Sequence, residues 1–264
     1  MAATFGPREV ARLLKAYASP AIAQQRARTL AALGVRPGER GLDVGCGPGF
    51  LTAELAGAVG ERGRVVALDA SPEMREAARS RLEAAGLAGR VDVLAGDAAR
   101  LDFADGAFDW VAAVQVYLYV PDVAGALAET ARVLRPGGRL VVVDTDWDSC
   151  VWRTADRARH RRVIEARQAH FTNPHLPPQL PELLQAAGLR LDHAEVIPLL
   201  ELEYGRDSFS GDLIPSLADL AARYGVPREE ADAWKADLLG RTAPGQYFFS
   251  VNRFLFRGAK PADA

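Results

Sequence analysis

The sequence predicts an α/β fold built on a mostly parallel sheet with helices on both faces. Segments typical of strands and of helices alternate five times between residues 39 and 145, and strands in such an alternation join a parallel sheet that is covered on both sides. A glycine-rich turn follows the first of these strands directly. Two more strand-like segments nearer the C-terminus bring the expected sheet to seven strands.

A helical pattern without strand signals covers residues 7–33. Ser19-Pro20 predicts its division into two helices, because proline disfavours the helical conformation in the residue before it. Ser71 and Pro72 are typical of an N-cap and a first helical position. We expect strands at 41–44, 64–69, 91–95, 108–114 and 139–144, and helices at 50–59, 72–85 and 121–134.

The alternation breaks after Asp144. A helix is expected at 179–187, a sixth strand near 191–203, and a last strand from Gln246 to Arg257 whose phenylalanines 248, 249, 254 and 256 belong to the core. Residues 206–240 are expected to be helical, with a break at Gly225-Val-Pro227. We interpret the whole chain, 1–264, as one domain. It comprises N-terminal helices in 1–38, a ligand-binding core in 39–145, cap insertions in 146–178 and 206–244, and the rest of the core in 179–205 and 245–258.

Composition and charge exclude several classes of protein. The net charge of −2 over 264 residues argues against binding to nucleic acid. No run approaches the ~18 apolar residues of a membrane span, and no secretory signal is expected. The two cysteines, Cys46 and Cys150, are far apart in the sequence, so we do not expect a disulfide framework. We therefore expect a reducing, cytoplasmic location. Because Pro174 separates His170 from His175, we expect no metal site.

The glycine turn predicts the kind of ligand. Dinucleotide enzymes carry G-x-G-x-x-G beside a pyrophosphate, whereas this chain has Asp43 ahead of Gly45, Gly47 and Gly49. A carboxylate repels a phosphate but attracts an ammonium group. We therefore expect a ligand with an amino-acid tail, although Asp43 serves equally well as a brace that hydrogen-bonds the backbone of the turn.

Two further carboxylates follow the next strands. Asp69 ends the second strand, 20 residues beyond Gly49, where an acidic residue binds both hydroxyls of a ribose. Asp97 follows the third strand, and its carboxylate together with the Ala98 N–H group suits the amine and a ring nitrogen of adenine. Met74 is interpreted either as a contact to the adenine face or as helix packing.

Together these motifs resemble the class I S-adenosylmethionine-dependent methyltransferases over about residues 20–145, and among them the small-molecule enzymes similar to ubiquinone and menaquinone biosynthesis methyltransferases. The matching motifs are Leu42-Asp-Val-Gly-Cys-Gly-Pro-Gly49, Val65-Val-Ala-Leu-Asp69, Ala95-Gly-Asp97, Phe108-Asp-Trp-Val111, Val120-Pro-Asp122 and Val133-Leu-Arg-Pro-Gly-Gly138. The resemblance implies a Rossmann-like sheet with an antiparallel last strand and S-adenosyl-L-methionine as cofactor. The implied cofactor-binding residues are Asp43, Gly45, Gly47, Asp69, Ala70, Met74, Asp97, Ala98 and Gln115, of which the two glycines and Gln115 serve the methionine part.

The implied activity is methyl transfer by in-line displacement to an O, N or C atom of a small-molecule acceptor. Such a reaction chiefly needs positioning and exclusion of water, and a general base only for some nucleophiles. Many relatives carry Glu-His before Val-Pro-Asp, where this chain has Leu118-Tyr119. Candidate catalytic residues are Tyr117, Tyr119, Asp146 and His170, although both tyrosines suit plain half-buried packing as well.

Several alternatives stay open. A protein of this fold can use the same cofactor for other chemistry, such as cyclisation, or act as a non-catalytic sensor or nucleic-acid module, which the net charge disfavours. We expect a monomer or a homodimer. Arg153, Arg157 and Arg161 repeat on one helical face, and this stripe indicates either a solvated surface or an anionic substrate beneath the cap.

Overall fold

A computed structural model describes residues 7–206 and 208–262; the predicted domain's outermost residues, 1–6 and 263–264, lie outside this range. Two helices come first, α1 (Pro7–Ala18) and α2 (Pro20–Leu33). Their separation at Ser19-Pro20 confirms the predicted division. Helix α2 ends at Gly34, whose left-handed conformation, with φ 57°, suits a glycine C-cap.

The predicted alternation is confirmed. Its elements are β1 (Arg40–Val44), α3 (Phe50–Val59), β2 (Arg64–Asp69), α4 (Pro72–Ala84), β3 (Val91–Ala95), β4 (Phe108–Val114), α5 (Val123–Val133) and β5 (Leu134–Thr145). Helix α4 begins as expected, because the Ser71 side chain accepts the backbone N–H group of Met74. Helix α5 begins later than predicted, at Val123, because Asp122 and not Pro121 supplies the cap, accepting the N–H group of Gly125.

The remaining elements are β6 (Val151–Trp152), α6 (Arg157–Gln168), α7 (Leu180–Ala186), β7 (Arg190–Glu201), α8 (Phe209–Arg223), α9 (Arg228–Leu239) and β8 (Phe249–Ala259). The break between α8 and α9 lies at the predicted Gly225-Val-Pro227. The short strand β6 was not predicted, because two residues carry no periodic signal.

All these strands form one sheet, in the order β3-β2-β1-β4-β5-β8, with β6 and β7 also paired to β8. Strands β1 to β5 are mutually parallel, whereas β8 runs antiparallel to both β5 and β7. The α/β class, the parallel core and the antiparallel last strand are therefore confirmed. Strand β6 pairs with β8 at Val151 and Ser250, beyond the point where β5 ends, and it raises the strand count from seven to eight.

Helices cover the sheet on both faces. One layer of buried side chains joins Leu33 and Leu55 to Trp110 and Val141, and the other joins Leu42 and the sheet to Leu127 of α5 and Leu184 of α7. A third cluster, formed by α6, α8, α9 and the start of β8, lies beyond the carboxyl end of β5. Among the described residues, no helix combines the length and the apolar character that crossing a membrane requires.

One core prediction was wrong. Phe249 and Phe256 are buried and Phe254 is partly buried, but Phe248 is 37% exposed. Phe248 precedes the first residue of β8, and side chains alternate between the two sides of an extended segment. Tyr247 and Phe249 therefore point inward, and Phe248 points outward.

Candidate functional site

A cavity of about 280 Å³ lies at the carboxyl ends of β1 to β4, where open α/β sheets bind their ligands. We call it the main pocket. Eight of the nine predicted cofactor-binding residues line it, and only Asp43 does not: the eight are Gly45, Gly47, Asp69, Ala70, Met74, Asp97, Ala98 and Gln115. Helix α1 closes one side with Leu13 and Tyr17, two residues for which the sequence carried no ligand-binding signal.

The glycine turn has the conformation that requires glycine. Gly45, Gly47 and Gly49 have φ values of 65°, 52° and 77°, a region that side chains disfavour. A Cβ atom on Gly45 would lie 2.4 Å from Val116 Cγ2, and one on Gly49 would lie 3.0 Å from Ala78. A Cβ atom on Gly47 would meet no atom within 4 Å, so the backbone there is open toward the main pocket.

Asp43 lies beneath the turn and is only 2% exposed. Its Oδ2 atom accepts a hydrogen bond of 2.6 Å from the Thr52 hydroxyl group of α3. Burial raises the pKa of Asp43 to about 7, despite the lowering effect of the Thr52 bond. The structure thus shows a brace between strand and helix, made through a hydroxyl group and not through the backbone of the turn.

Asp69 ties the turn to the second strand. Its Oδ2 accepts the Gly47 N–H group at 2.8 Å, and its Oδ1 accepts the Ser71 N–H group at 2.9 Å. Burial raises the pKa of Asp69, and both N–H bonds oppose that rise. Because each carboxylate oxygen has two acceptor positions, one position on each oxygen remains for a ligand.

Asp97 is exposed at the mouth of the main pocket. Its Oδ1 accepts the Ala99 N–H group at 2.9 Å, which leaves Oδ2 available for a ligand. The neighbouring Ala98 also lines the pocket.

Met74 is 2% exposed. It packs within the fold and also lines the pocket, so its two interpretations do not exclude each other.

Gln115 is held in an unusual conformation. Among the described residues, it is the one residue other than glycine that has a positive φ, at 58°. This region of backbone conformation is costly for residues with a side chain. Its backbone N–H group and its Nε2 both donate to the Val143 carbonyl oxygen, at 2.8 and 3.2 Å, and its Oε1 accepts the Thr145 hydroxyl group at 2.8 Å. Strand β5 therefore fixes the orientation of Gln115 at the pocket wall.

The structure does not bring all four candidate catalytic residues to the main pocket. Tyr119 lines the main pocket, and His170 packs against it edge-on with ring centroids 6.1 Å apart. Tyr117 is fully buried, with its hydroxyl group 2.8 Å from that of Thr130, and does not line the pocket. Asp146 lies outside the pocket as well, with its Oδ1 3.3 Å from His175 Nδ1.

Asp146, Asp148 and His175 form the one group among the described residues with the reach to hold a metal ion. His175 Nδ1 also lies 3.4 Å from Asp148 Oδ2, while Gln168 donates to Asp148 Oδ1 at 2.6 Å and Asp146 caps the Asp148 N–H group. Asp148 and His175 are exposed. Hydrogen bonds within the group account for this cluster, and the absence of a metal stays a prediction.

Asn173 anchors the loop that carries Tyr119. Its Nδ2 donates to the Val120 carbonyl oxygen at 2.6 Å, and its backbone N–H group donates to the Leu118 carbonyl oxygen at 2.9 Å. Sequence reasoning treated Asn173 only as part of a proline-rich loop, since nothing local shows that this loop meets residues 117–120.

The prediction that three arginines share one helical face was wrong, because Arg157 and Arg161 belong to α6 whereas Arg153 precedes this helix. Arg153, Arg157 and Arg161 line a second, open cavity of about 920 Å³ between α6 and the segment before β8. We call it the arginine groove. All three arginines are exposed, and none of them lines the main pocket, so the structure gives no support to an anion held by this stripe over the main pocket.

Comparison with known proteins agrees with this geometry. Residues 42–142 match the family model of the methyltransferase domain. The chain is 35% identical over 259 residues to an uncharacterized 37.1 kDa protein in transposon TN4556 of Streptomyces fradiae, covering 94% of this chain and 70% of that protein. It is 41% identical over 120 residues to demethylmenaquinone methyltransferase of Bacillus cereus, covering 46% of this chain and only half of that relative's length.

Solved structures share the fold. The YcgJ protein from Bacillus subtilis superposes with a TM-score of 0.63 at 20% identity, over 90% of this chain and 99% of its own. The [4+2]-cyclase SpnF superposes with a TM-score of 0.59 at 24% identity, over 91% of this chain and 81% of its own.

Proposed function

This chain belongs to the class I S-adenosylmethionine-dependent methyltransferases, with S-adenosylmethionine as its cofactor, and from that premise we propose that it methylates an O, N or C atom of a small-molecule acceptor. The observation that carries the proposal is the main pocket, where eight residues expected to bind this cofactor line one cavity. The demethylmenaquinone methyltransferase relative supports a small-molecule acceptor.

The residues present fit the cofactor. The open backbone at Gly47 would accommodate the methionine part, the free acceptor positions of Asp69 would take the ribose hydroxyls, and Asp97 with Ala98 would take the adenine edge. Met74 would pack against the adenine ring. Gln115 would also contact the methionine part, since it lines the same pocket.

The acceptor would enter between α1 and the loop that carries Tyr119. Tyr17 and Tyr119 line this end of the main pocket, and the third core cluster joins the start of α2 to α6, α8 and α9. We therefore interpret 146–178 and 206–244 as the cap that shapes the acceptor site.

S-adenosylmethionine, when bound, supplies an electrophilic methyl group and a sulfide leaving group. The chain's own contribution is to position the acceptor in line and to keep water out. Burial raises the pKa of Tyr119, so its hydroxyl group stays protonated at neutral pH and can donate a hydrogen bond to the acceptor.

Asp69→Ala tests the donor site. We expect a loss of affinity for S-adenosylhomocysteine of about 100-fold in calorimetry, because hydrogen bonds to a charged group contribute about 1.5–3 kcal/mol each. Asp69 also braces the turn, so Asp97→Ala, which loses only the Ala99 contact within the protein, provides a second variant at the adenine end.

Asp92→Ala is the matched control, since Asp92 is an exposed carboxylate on β3 that does not line the main pocket. Its affinity for S-adenosylhomocysteine should equal that of the wild type. Unchanged affinity in both Asp69→Ala and Asp97→Ala would contradict the assignment of the main pocket.

A second function is favoured by one observation. The cyclase SpnF has the same fold over 91% of this chain, so the fold is compatible with chemistry other than methyl transfer. Incubation with methyl-labelled donor separates the two functions: label in the product supports methylation, and label retained on the donor during turnover supports cyclisation.

We also propose a cytoplasmic location and a monomeric or homodimeric state without nucleic-acid binding. The net charge of −2 supports the last point. Tight, salt-dependent retention of RNA in a filter-binding assay would contradict it.

A further inference from the structure

Three arginines line the arginine groove, and none of them has an acidic partner among the described residues. Arg153, Arg157 and Arg161 are all exposed. Arg153 donates from Nη1 to the Gly245 carbonyl oxygen at 2.6 Å, and no described carboxylate lies within ion-pair distance of any of the three. Most of their hydrogen-bond donors are therefore available to a ligand.

Another exposed arginine of α6 behaves differently. Arg162 does not line the groove, and it contacts Glu230 at two points, from Nε at 3.0 Å and from Nη2 at 2.7 Å. Of the exposed arginines in α6, the one outside the groove is thus paired, whereas Arg157 and Arg161 within it are not. The lack of partners is specific to the groove and is not a general property of the helix.

The acidic residues of the groove lie toward its other end. Asp148 and Glu165 also line it. Gln168, the last residue of α6, donates to Asp148 Oδ1 at 2.6 Å, which places Asp148 at the C-terminal end of the helix. Arg157 is the first residue of α6, and about 12 Å of helix axis separates it from Glu165. The groove is therefore positive where α6 begins and negative where it ends.

Exposed apolar side chains line the same groove. Val151, Leu202 and Phe248 are 51%, 55% and 37% exposed. They come from neighbouring strands of the sheet, since Val151 belongs to β6, Leu202 follows β7 and Phe248 precedes β8. Apolar surface that is exposed within a concave site is typical of a place where a ligand binds.

The planar guanidinium group matches a carboxylate or a phosphate with paired hydrogen bonds, and the exposed apolar walls gain from covering an apolar body. From this arrangement we infer that the arginine groove is a second ligand site, which binds an amphipathic organic anion with an apolar or aromatic body and a carboxylate or phosphate group at the arginine end. The groove shares no lining residue with the main pocket. The inference therefore goes beyond the proposed function and does not depend on it.

Titration calorimetry on the full chain tests the inference, with 1-naphthyl phosphate, 1-naphthoate and the neutral 1-naphthamide as probes. Saturating S-adenosylhomocysteine is present to keep the probes out of the main pocket. We expect at least one anion to bind with one-to-one stoichiometry and about 10-fold more tightly than the amide, because two or three guanidinium groups contact its charge. A preference between the two anions identifies the anionic group as a phosphate or a carboxylate.

Substitutions at exposed positions locate the site without disturbing the core. Arg157→Met and Arg161→Met should each weaken binding of the anion about 5-fold, and Arg157→Lys should retain part of the affinity. Arg162→Met is the matched control, because it removes an equal charge from the same helix outside the groove, and it should leave the affinity unchanged.

A second pair of variants tests the apolar wall. Leu202→Ser should weaken binding of the anion about 3-fold, because it removes apolar surface that the body of the ligand covers. Leu200→Ser is the control, since Leu200 is 52% exposed but does not line the groove.

Equal affinities for the anions and the amide, no binding of either anion, or unchanged affinity in both Arg157→Met and Arg161→Met would each overturn the inference. Binding to phosphatidylglycerol vesicles without binding of either soluble anion would assign the groove to a membrane surface and would overturn it as well. Failure of the wild type to bind S-adenosylhomocysteine would contradict the proposed function only, because the arginine variants still report on the groove.

Discussion

Two glycines of one turn differ in what a methyl group would meet. Gly45 and Gly47 both have positive φ, at 65° and 52°. A Cβ atom on Gly45 would approach Val116 Cγ2 to 2.4 Å, whereas one on Gly47 would enter open space. Glycine is therefore needed at Gly45 for packing. At Gly47 it is needed for its backbone conformation and, we propose, to leave room for a ligand.

This difference predicts that alanine at Gly47 mainly weakens ligand binding, whereas alanine at Gly45 mainly lowers stability. Gly47→Ala should lower the free energy of unfolding by only about 1 kcal/mol, the usual cost of a left-handed alanine, but should weaken S-adenosylhomocysteine binding at least 10-fold. Gly45→Ala adds the clash with Val116 and should be the less stable of the two. Urea denaturation measures stability, and calorimetry measures binding. Normal S-adenosylhomocysteine binding by Gly47→Ala would show that the methionine part of the cofactor does not lie beside Gly47.

Among the elements, helix α8 depends on a residue from a neighbouring strand. Glu201, the last residue of β7, accepts the N–H groups of Phe209 and Ser210 at 2.9 and 3.0 Å and the Ser208 hydroxyl group at 2.9 Å. A carboxylate at a helix N-terminus satisfies unpaired donors and favours the helix dipole. Glu201 thereby joins the sheet to helix α8.

Glu201→Ala should lower the free energy of unfolding by about 2–3 kcal/mol, because the donors of the first turn of α8 lose a charged acceptor. Glu203→Ala is the control, since Glu203 is exposed two residues further on, and its effect should stay within about 0.5 kcal/mol. Equal effects of the two substitutions in urea denaturation would show that Glu201 does not anchor α8.

For the whole molecule, the buried acid Asp43 contributes to how stability depends on pH. The pKa of Asp43 is raised to about 7 by burial, whereas an aspartate in an unfolded chain has a pKa of about 3.9. Between these values the folded protein binds more protons than the unfolded chain does. The contribution of Asp43 to the free energy of unfolding therefore falls as the pH rises from about 4 to about 7.

Asp43→Asn isolates this effect, because its amide oxygen can still accept the Thr52 hydroxyl group while its charge is removed. We expect the wild type to lose stability relative to the variant between pH 5 and pH 8. Urea denaturation at the two pH values measures the difference, and a wild type that gains stability relative to the variant would reverse the sign we assign.

The sequence predicted the parallel core well, because each strand, turn and cap there depends on neighbouring residues. The positions of Asp69 and Asp97 at strand ends followed from the same local pattern. The orientations of the Tyr117 and Phe248 side chains were harder to predict from sequence. Tyr117 turns inward to Thr130 of α5, and Phe248 turns outward just before β8. The contacts of Arg167 with Trp147 and Phe171 were not predicted, because these residues come together only through tertiary packing.

The position of β8 has a consequence for how the protein is made. Strand β7 pairs with β8 alone within the part of the chain that the structure describes, and β8 follows it after two further helices. On the ribosome, β7, α8 and α9 are therefore synthesised before the strand that holds them exists. Until residues 249–259 emerge, β7 has no partner strand among the described residues, and an unpaired strand edge favours aggregation of the nascent chain.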